Sequence, residues 1–120
     1  MDLVNELNNL IKKLDVSVKS LRNTGSDYAK AYTDYRVALA KELVRLKDDG
    51  MAVTIAYDVA RGKPEIARLK FKEISSEAIY KANQESINAL KLQIKIIQEQ
   101  INKEYGASGK GDLWNARNLV

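Results

Sequence analysis

Apolar residues recur every seventh position through the first 48 residues of the chain without losing phase. One column reads Val4, Ile11, Val18, Gly25, Tyr32, Leu39 and Leu46, and a second reads Leu7, Leu14, Leu21, Tyr28 and Tyr35. The columns are offset by three or four residues, the seam spacing of helices that pack lengthwise. The pattern predicts one helix over 2–48, about 70 Å long at ~1.5 Å per residue. Asp2 is placed to cap it and to favour the positive end of its dipole. Leu3 and Leu10 flank the second column, and the stripe is wider than one partner helix covers, so contact with more than one helix is expected. Asn23-Thr24-Gly25-Ser26-Asp27 reads locally as a turn. The seven-residue phase nevertheless survives it, and a turn has no reason to preserve phase. A continuous helix with a weak point at Gly25 is the prediction.

Gly50 follows Lys47-Asp48-Asp49 in the left-handed stop position of a helix. A short helix is expected over 55–61, with Thr54 as its N-cap and Gly62 as its stop. Pro64 then opens a second long helix, at a position where its missing N–H costs nothing. That helix is predicted to reach about Tyr105, with Gly106 ending it. Its stripe reads Phe71, Ile74, Ala78, Ala82, Ile87, Leu90, Ile94, Ile97 and Ile101. Two long helices of similar length joined by a short connection imply an all-α fold. The expected architecture is an antiparallel helical hairpin, or coiled coil, with the short helix at its tip, dimerising into a four-helix arrangement. Residues 1–105 would form the hairpin domain, and 106–120 a flexible link with a short C-terminal segment. Leu113 and Trp114 in that segment read either as a docking peptide or as a frayed end.

Composition narrows the chemistry. The chain has 120 residues with 45% hydrophobic and 30% charged content, enough for one folded domain. It has no Cys and no His, which removes disulfides, thiolate nucleophiles, imidazole bases and the usual zinc sites together. Asp48, Asp49 and Asp58 do not converge in the way a divalent cation needs, and no phosphate-binding glycine loop appears. The expectation is a protein that is not an enzyme and carries no metal or cofactor. No window approaches 18 consecutive apolar residues, so no membrane span is expected. The acidic N-terminus does not read as a secretory signal, and a cytoplasmic location is expected.

The net charge of +4 comes from 20 basic and 16 acidic residues. The surplus concentrates between 61 and 72, where Arg61, Lys63, Arg68, Lys70 and Lys72 face one acid, Glu65. Arg68 and Lys72 are four apart on one helical face, with Lys70 pointing elsewhere. Arg61, Lys63, Arg68 and Lys72 are therefore the candidate basic tip, for an acidic protein surface or for phosphates. Thr54 to Lys72 also has the outline of a helix-turn-helix, but the second helix is far too long and the flanking core is missing. Tyr28, Tyr32 and Tyr35, with Lys30 and Arg36 close by, read first as an interface and second as a stacking platform for single-stranded nucleic acid. Asn83 interrupts the seam between Tyr80 and Ile87; it either fixes register or oligomeric state, or faces water where the seam drifts.

In Tyr35-Arg36-Val37-Ala38-Leu39-Ala40-Lys41, Asp49-Gly50-Met51-Ala52-Val53-Thr54, Asp58-Val59-Ala60-Arg61-Gly62 and the Lys81 to Asn88 stretch, the chain resembles small uncharacterised helical proteins of Gram-positive temperate phages and prophages. The resemblance covers roughly 1–105. It implies a phage accessory role in the host cytoplasm and brings no catalytic residues. The functional expectation is an interaction module that binds and modulates a host or phage protein machine, a CRISPR nuclease being one such machine. A chain that is not acidic would inhibit by wedging or by capturing a subunit surface rather than by mimicking DNA. The alternative is a nucleic-acid-binding accessory of phage recombination or replication. Interface candidates are Tyr28, Tyr32, Tyr35, Asn83 and Trp114.

Overall fold

The structure, a computed structural model, describes residues 2–107. The described residues are all helical: α1 spans Leu3–Asp48, α2 Val53–Gly62 and α3 Pro64–Ala107. No strand occurs among them. The predicted tail segment and Trp114 lie outside the described residues. Two compact units can be distinguished. Of the described residues, one takes 2–20 with 84–107, and the other takes Leu21–Asn83.

Local chemistry sets the helix ends. Asp2 Oδ1 accepts from the Val4 N–H at 3.0 Å, so the predicted cap forms. Gly50 has φ +94°. The Gly50 N–H bonds the Lys47 carbonyl at 2.9 Å and the Met51 N–H bonds the Leu46 carbonyl at 3.1 Å. This is the paired 5→2 and 6→1 closure of a Schellman stop, and Met51 packs on the same cluster as Leu46, as such stops favour. α1 runs unbroken through Gly25.

α2 differs from its predicted form. It begins two residues earlier, after Ala52 in extended conformation with no side-chain cap, and Thr54 lies inside its first turn. Gly62 is its last helical residue, with no positive φ. What stops α2 is the proline that follows. Lys63 is held at φ −66° and ψ 136°, because the ring of Pro64 excludes the helical region for the residue before it. The Lys63 carbonyl then accepts from Ala67 N–H at 2.8 Å and starts α3. α3 in turn passes through Gly106 to Ala107 rather than ending at that glycine.

In the Leu21–Asn83 unit, Tyr35, Leu39, Leu46, Ala56, Ala60 and Ile66 form the core, with Ala38, Leu43, Met51 and Leu69 packed against it. Ala56 and Ala60, one turn apart on α2, are fully buried; their small side chains let α2 lie close. Contacts in this unit link Thr24 to Asn83, Gly25 to Tyr80, Tyr28 to Glu77 and Tyr35 to Lys70. As the α1 number rises the α3 number falls, so the two segments run in opposite directions here.

The burial pattern corrects the predicted seam at two places. On α1 the inward columns are Leu7, Leu14, Leu21, Tyr28, Tyr35 and the flanking Leu3, Leu10, Ser17, Thr24, Ala31, all buried or half-buried. The column Val4, Ile11, Val18 is exposed at 42%, 46% and 49% in its unit. Leu39 and Leu46, later members of that column, are buried in the other unit because α2 covers them. On α3 the expected residues Ile87, Leu90, Ile94, Ile97 and Ile101 do face inward. Phe71, Ile74, Ala78 and Ala82 do not: Phe71 is 71% and Ile74 55% exposed. Ile66, Glu73, Tyr80 and Asn83 occupy that inner face instead. Polar groups are tolerated there because each has a partner: Thr24 of α1 for Asn83 and Lys70 of α3 for Glu73.

Candidate interaction surfaces

The inner face of the Leu21–Asn83 unit carries a line of polar pairs. Thr24 Oγ1 donates to Asn83 Oδ1 at 2.8 Å. Tyr28 Oη donates to Glu77 Oε2 at 2.8 Å. Lys70 Nζ donates to Glu73 Oε2 at 2.7 Å and lies 4.8 Å from the centre of the Tyr35 ring. Asn83 is half-buried and bonded to Thr24 rather than turned to water. A polar pair within an apolar seam favours the axial alignment that lets it form. The carboxylate on the Tyr28 hydroxyl raises the phenol pKa, chiefly through that hydrogen bond. The Lys70 pKa is raised as well, first by its bond to Glu73.

Glu42 organises the end of the unit near α2. Arg45 Nη2 donates to Glu42 Oε1 at 2.6 Å and its Nε to Oε2 at 3.2 Å. Lys63 pairs with the same carboxylate. These two cations, Arg45 first, lower the Glu42 pKa to about 2.

The predicted basic tip is divided among different tasks. Lys63 is taken up by Glu42. Arg61 stacks on Tyr57, with its charge centre 5.4 Å from the ring centre. It stands close enough to Lys70 to repel it. Arg68 and Lys72 are exposed. At about 100° per residue they point to the flank of α3 opposite Lys70.

The three tyrosines also separate. Tyr35 is buried in the core. Tyr28 is half-buried, 6.5 Å edge-on from Tyr32 and 6.0 Å from Tyr80. Tyr32 is 44% exposed and carries Arg36 at 5.8 Å. Tyr28, Tyr32 and Tyr80, with Gly25, Ala29 and Thr33, line an open groove of about 400 Å³. Gly25 is its floor: a Cβ there would stand 3.1 Å from Tyr80 Cε1. Tyr80, Glu73, Glu77 and Thr24 are absent from the sequence-level candidates. The signal that finds the first two is the seven-residue column Ile66, Glu73, Tyr80, Ile87, Ile94, Ile101 on α3.

Among the described residues no group of three acidic side chains is placed to hold a metal ion, and no helix is long and apolar enough to cross a membrane. Comparisons with protein-family models, curated proteins and solved structures find no match.

Proposed function

We propose that the chain is a non-enzymatic interaction module: an antiparallel helical hairpin that binds another protein through the open side of α1. The observation that carries this is the column Val4, Ile11, Val18. Its later members Leu39 and Leu46 are covered by α2, whereas these three valine and isoleucine side chains are left exposed. A regular apolar column without a neighbouring helix is what a helical partner covers. A second copy is one such partner and would complete a four-helix arrangement. A protein machine of the phage–host encounter, such as a CRISPR nuclease, is another, and it fits the phage-like sequence stretches. Replacing Val4, Ile11 and Val18 together by Ser tests the reading. Helix content should be retained. Dimer mass by light scattering, or capture of the partner machine from a host lysate, should be lost. A variant that dimerises and captures as the parent chain does would refute it.

A further inference from the structure

The groove between Tyr28, Tyr32 and Tyr80 lies within the Leu21–Asn83 unit. Its walls are ring faces and edges, and its floor is Gly25 and Ala29, where no long side chain fills the space. Arg36 lies over one side of Tyr32. Arg22 and Arg36 stand seven residues on either side of Ala29, so all three share one stripe of α1. Both arginines are exposed, and neither makes an ion pair among the described residues. The stripe between them is about 21 Å long at ~1.5 Å per residue. The carboxylate at the groove edge, Glu77, is occupied by the Tyr28 hydroxyl and has Lys81 at 3.9 Å. The groove thus offers aromatic faces between two guanidinium groups that make no ion pair among the described residues, and the two acids that act on Tyr28, Glu77 and Glu73, are both partnered.

We infer that this groove is a binding surface for single-stranded nucleic acid, with bases stacking on Tyr32 and Tyr80 and phosphates on Arg22 and Arg36. Aromatic platforms set within cationic ground are how unpaired strands are held without regard to sequence. Arg36 pre-positioned on Tyr32 extends the stack by a cation–π layer. An acidic protein segment would use the arginines but has no need of open ring faces or of a glycine floor. A duplex has its ring faces already stacked.

The test is fluorescence anisotropy of the full chain with labelled dT20, labelled U20 and a labelled 20-residue polyglutamate. The expected result is binding of dT20 or U20 that weakens as salt rises from 50 to 200 mM. A preference for U20 would assign RNA, and equal binding would assign any single strand. Tyr32→Ala should weaken binding about tenfold or more, from the value of one base–aromatic stack, while Tyr32→Phe keeps it. Arg22→Ala with Arg36→Ala should flatten the log–log salt slope by about 1.4, from ~0.7 per lost phosphate contact. Arg68→Ala with Lys72→Ala, on α3, should change neither. Circular dichroism checks that each variant is folded, and Tyr32 is exposed enough for both of its variants to remain so. The inference is overturned by no binding of either strand at 50 mM salt. It is overturned equally by polyglutamate binding as tightly as dT20, or by the Arg68/Lys72 pair mattering as much as Arg22/Arg36. These outcomes leave the apolar-column reading of the other unit untouched.

Discussion

Gly25 is where backbone preference and side-chain packing oppose each other, and the opposition is measurable. Gly25→Ala in a regular helix gains about 1 kcal/mol, because alanine gives up less backbone freedom on folding. α1 is regular there and Gly25 has no positive φ, so that gain applies. Against it stands the Tyr80 ring: the new Cβ would sit 3.1 Å from Cε1, 3.6 Å from Cδ1 and 3.7 Å from Cζ. Carbon pairs settle at about 3.5–4.0 Å, so the ring edge must retreat by several tenths of an ångström. The Tyr28 ring, 6.0 Å from that of Tyr80, limits the room for such movement. Forcing a side chain off its rotamer costs about 0.5–1.5 kcal/mol. The two effects nearly cancel, and Gly25→Ala alone should change stability by less than about 0.5 kcal/mol. In a Tyr80→Ala background the obstacle is gone, and the same substitution should stabilise by the full ~1 kcal/mol. Urea denaturation of the four proteins in this cycle should give a coupling of about 0.5–1.5 kcal/mol. A Gly25→Ala gain of the same size with and without Tyr80 would refute the reasoning, as would a loss exceeding about 2 kcal/mol in both.

The orientation of α3 makes an equally direct contrast. Ile66→Ala should cost about 2–5 kcal/mol as a buried truncation, and Phe71→Ala should stay within about 0.5 kcal/mol as a surface change; equal losses in thermal denaturation would reverse the assignment of faces. For the Thr24–Asn83 pair, Asn83→Ala should cost about 1 kcal/mol, and Thr24→Val should cost less in that background than in the parent chain, because the hydroxyl then keeps only its 3.3 Å contact to the Leu21 carbonyl. Additive losses would show that the two side chains are not coupled. Glu42 sets an acid dependence. Its folded pKa of about 2 lies below the ordinary 4.5, so its contribution is complete above the ordinary value and is lost as pH falls toward 2. Glu42→Gln should therefore flatten the decline in urea midpoint between pH 5 and 2, and an unchanged profile would remove Glu42 from the account.

Sequence alone settled whatever depends on a residue and its near neighbours. Asp2 as cap, Gly50 as left-handed stop and Pro64 as first residue of α3 follow from bonds and dihedrals within a turn or two, whereas the continuity of α1 through Gly25 is legible in the seven-residue phase of the whole run. The all-helical class follows from the same local preferences. The tertiary structure decided which face each helix turns inward, because that choice depends on groups far apart in the chain. Phe71, Ile74, Ala78 and Ala82 are the more apolar side of their segment, and a reading by hydrophobicity selects them. The side that wins contains Glu73, Tyr80 and Asn83. Burying Glu73 is acceptable only with Lys70 turned to it across the Tyr35 ring, and Asn83 only with Thr24, 59 residues away, within hydrogen-bond reach. The column from Ile66 to Ile101 keeps its seven-residue phase through Glu73 and Tyr80, so periodicity held the answer that composition concealed. The fate of Lys63 was likewise tertiary, since its partner Glu42 arrives from α1. Lys70 differs: its partner Glu73 is three residues along the same helix, a pairing the spacing itself allows.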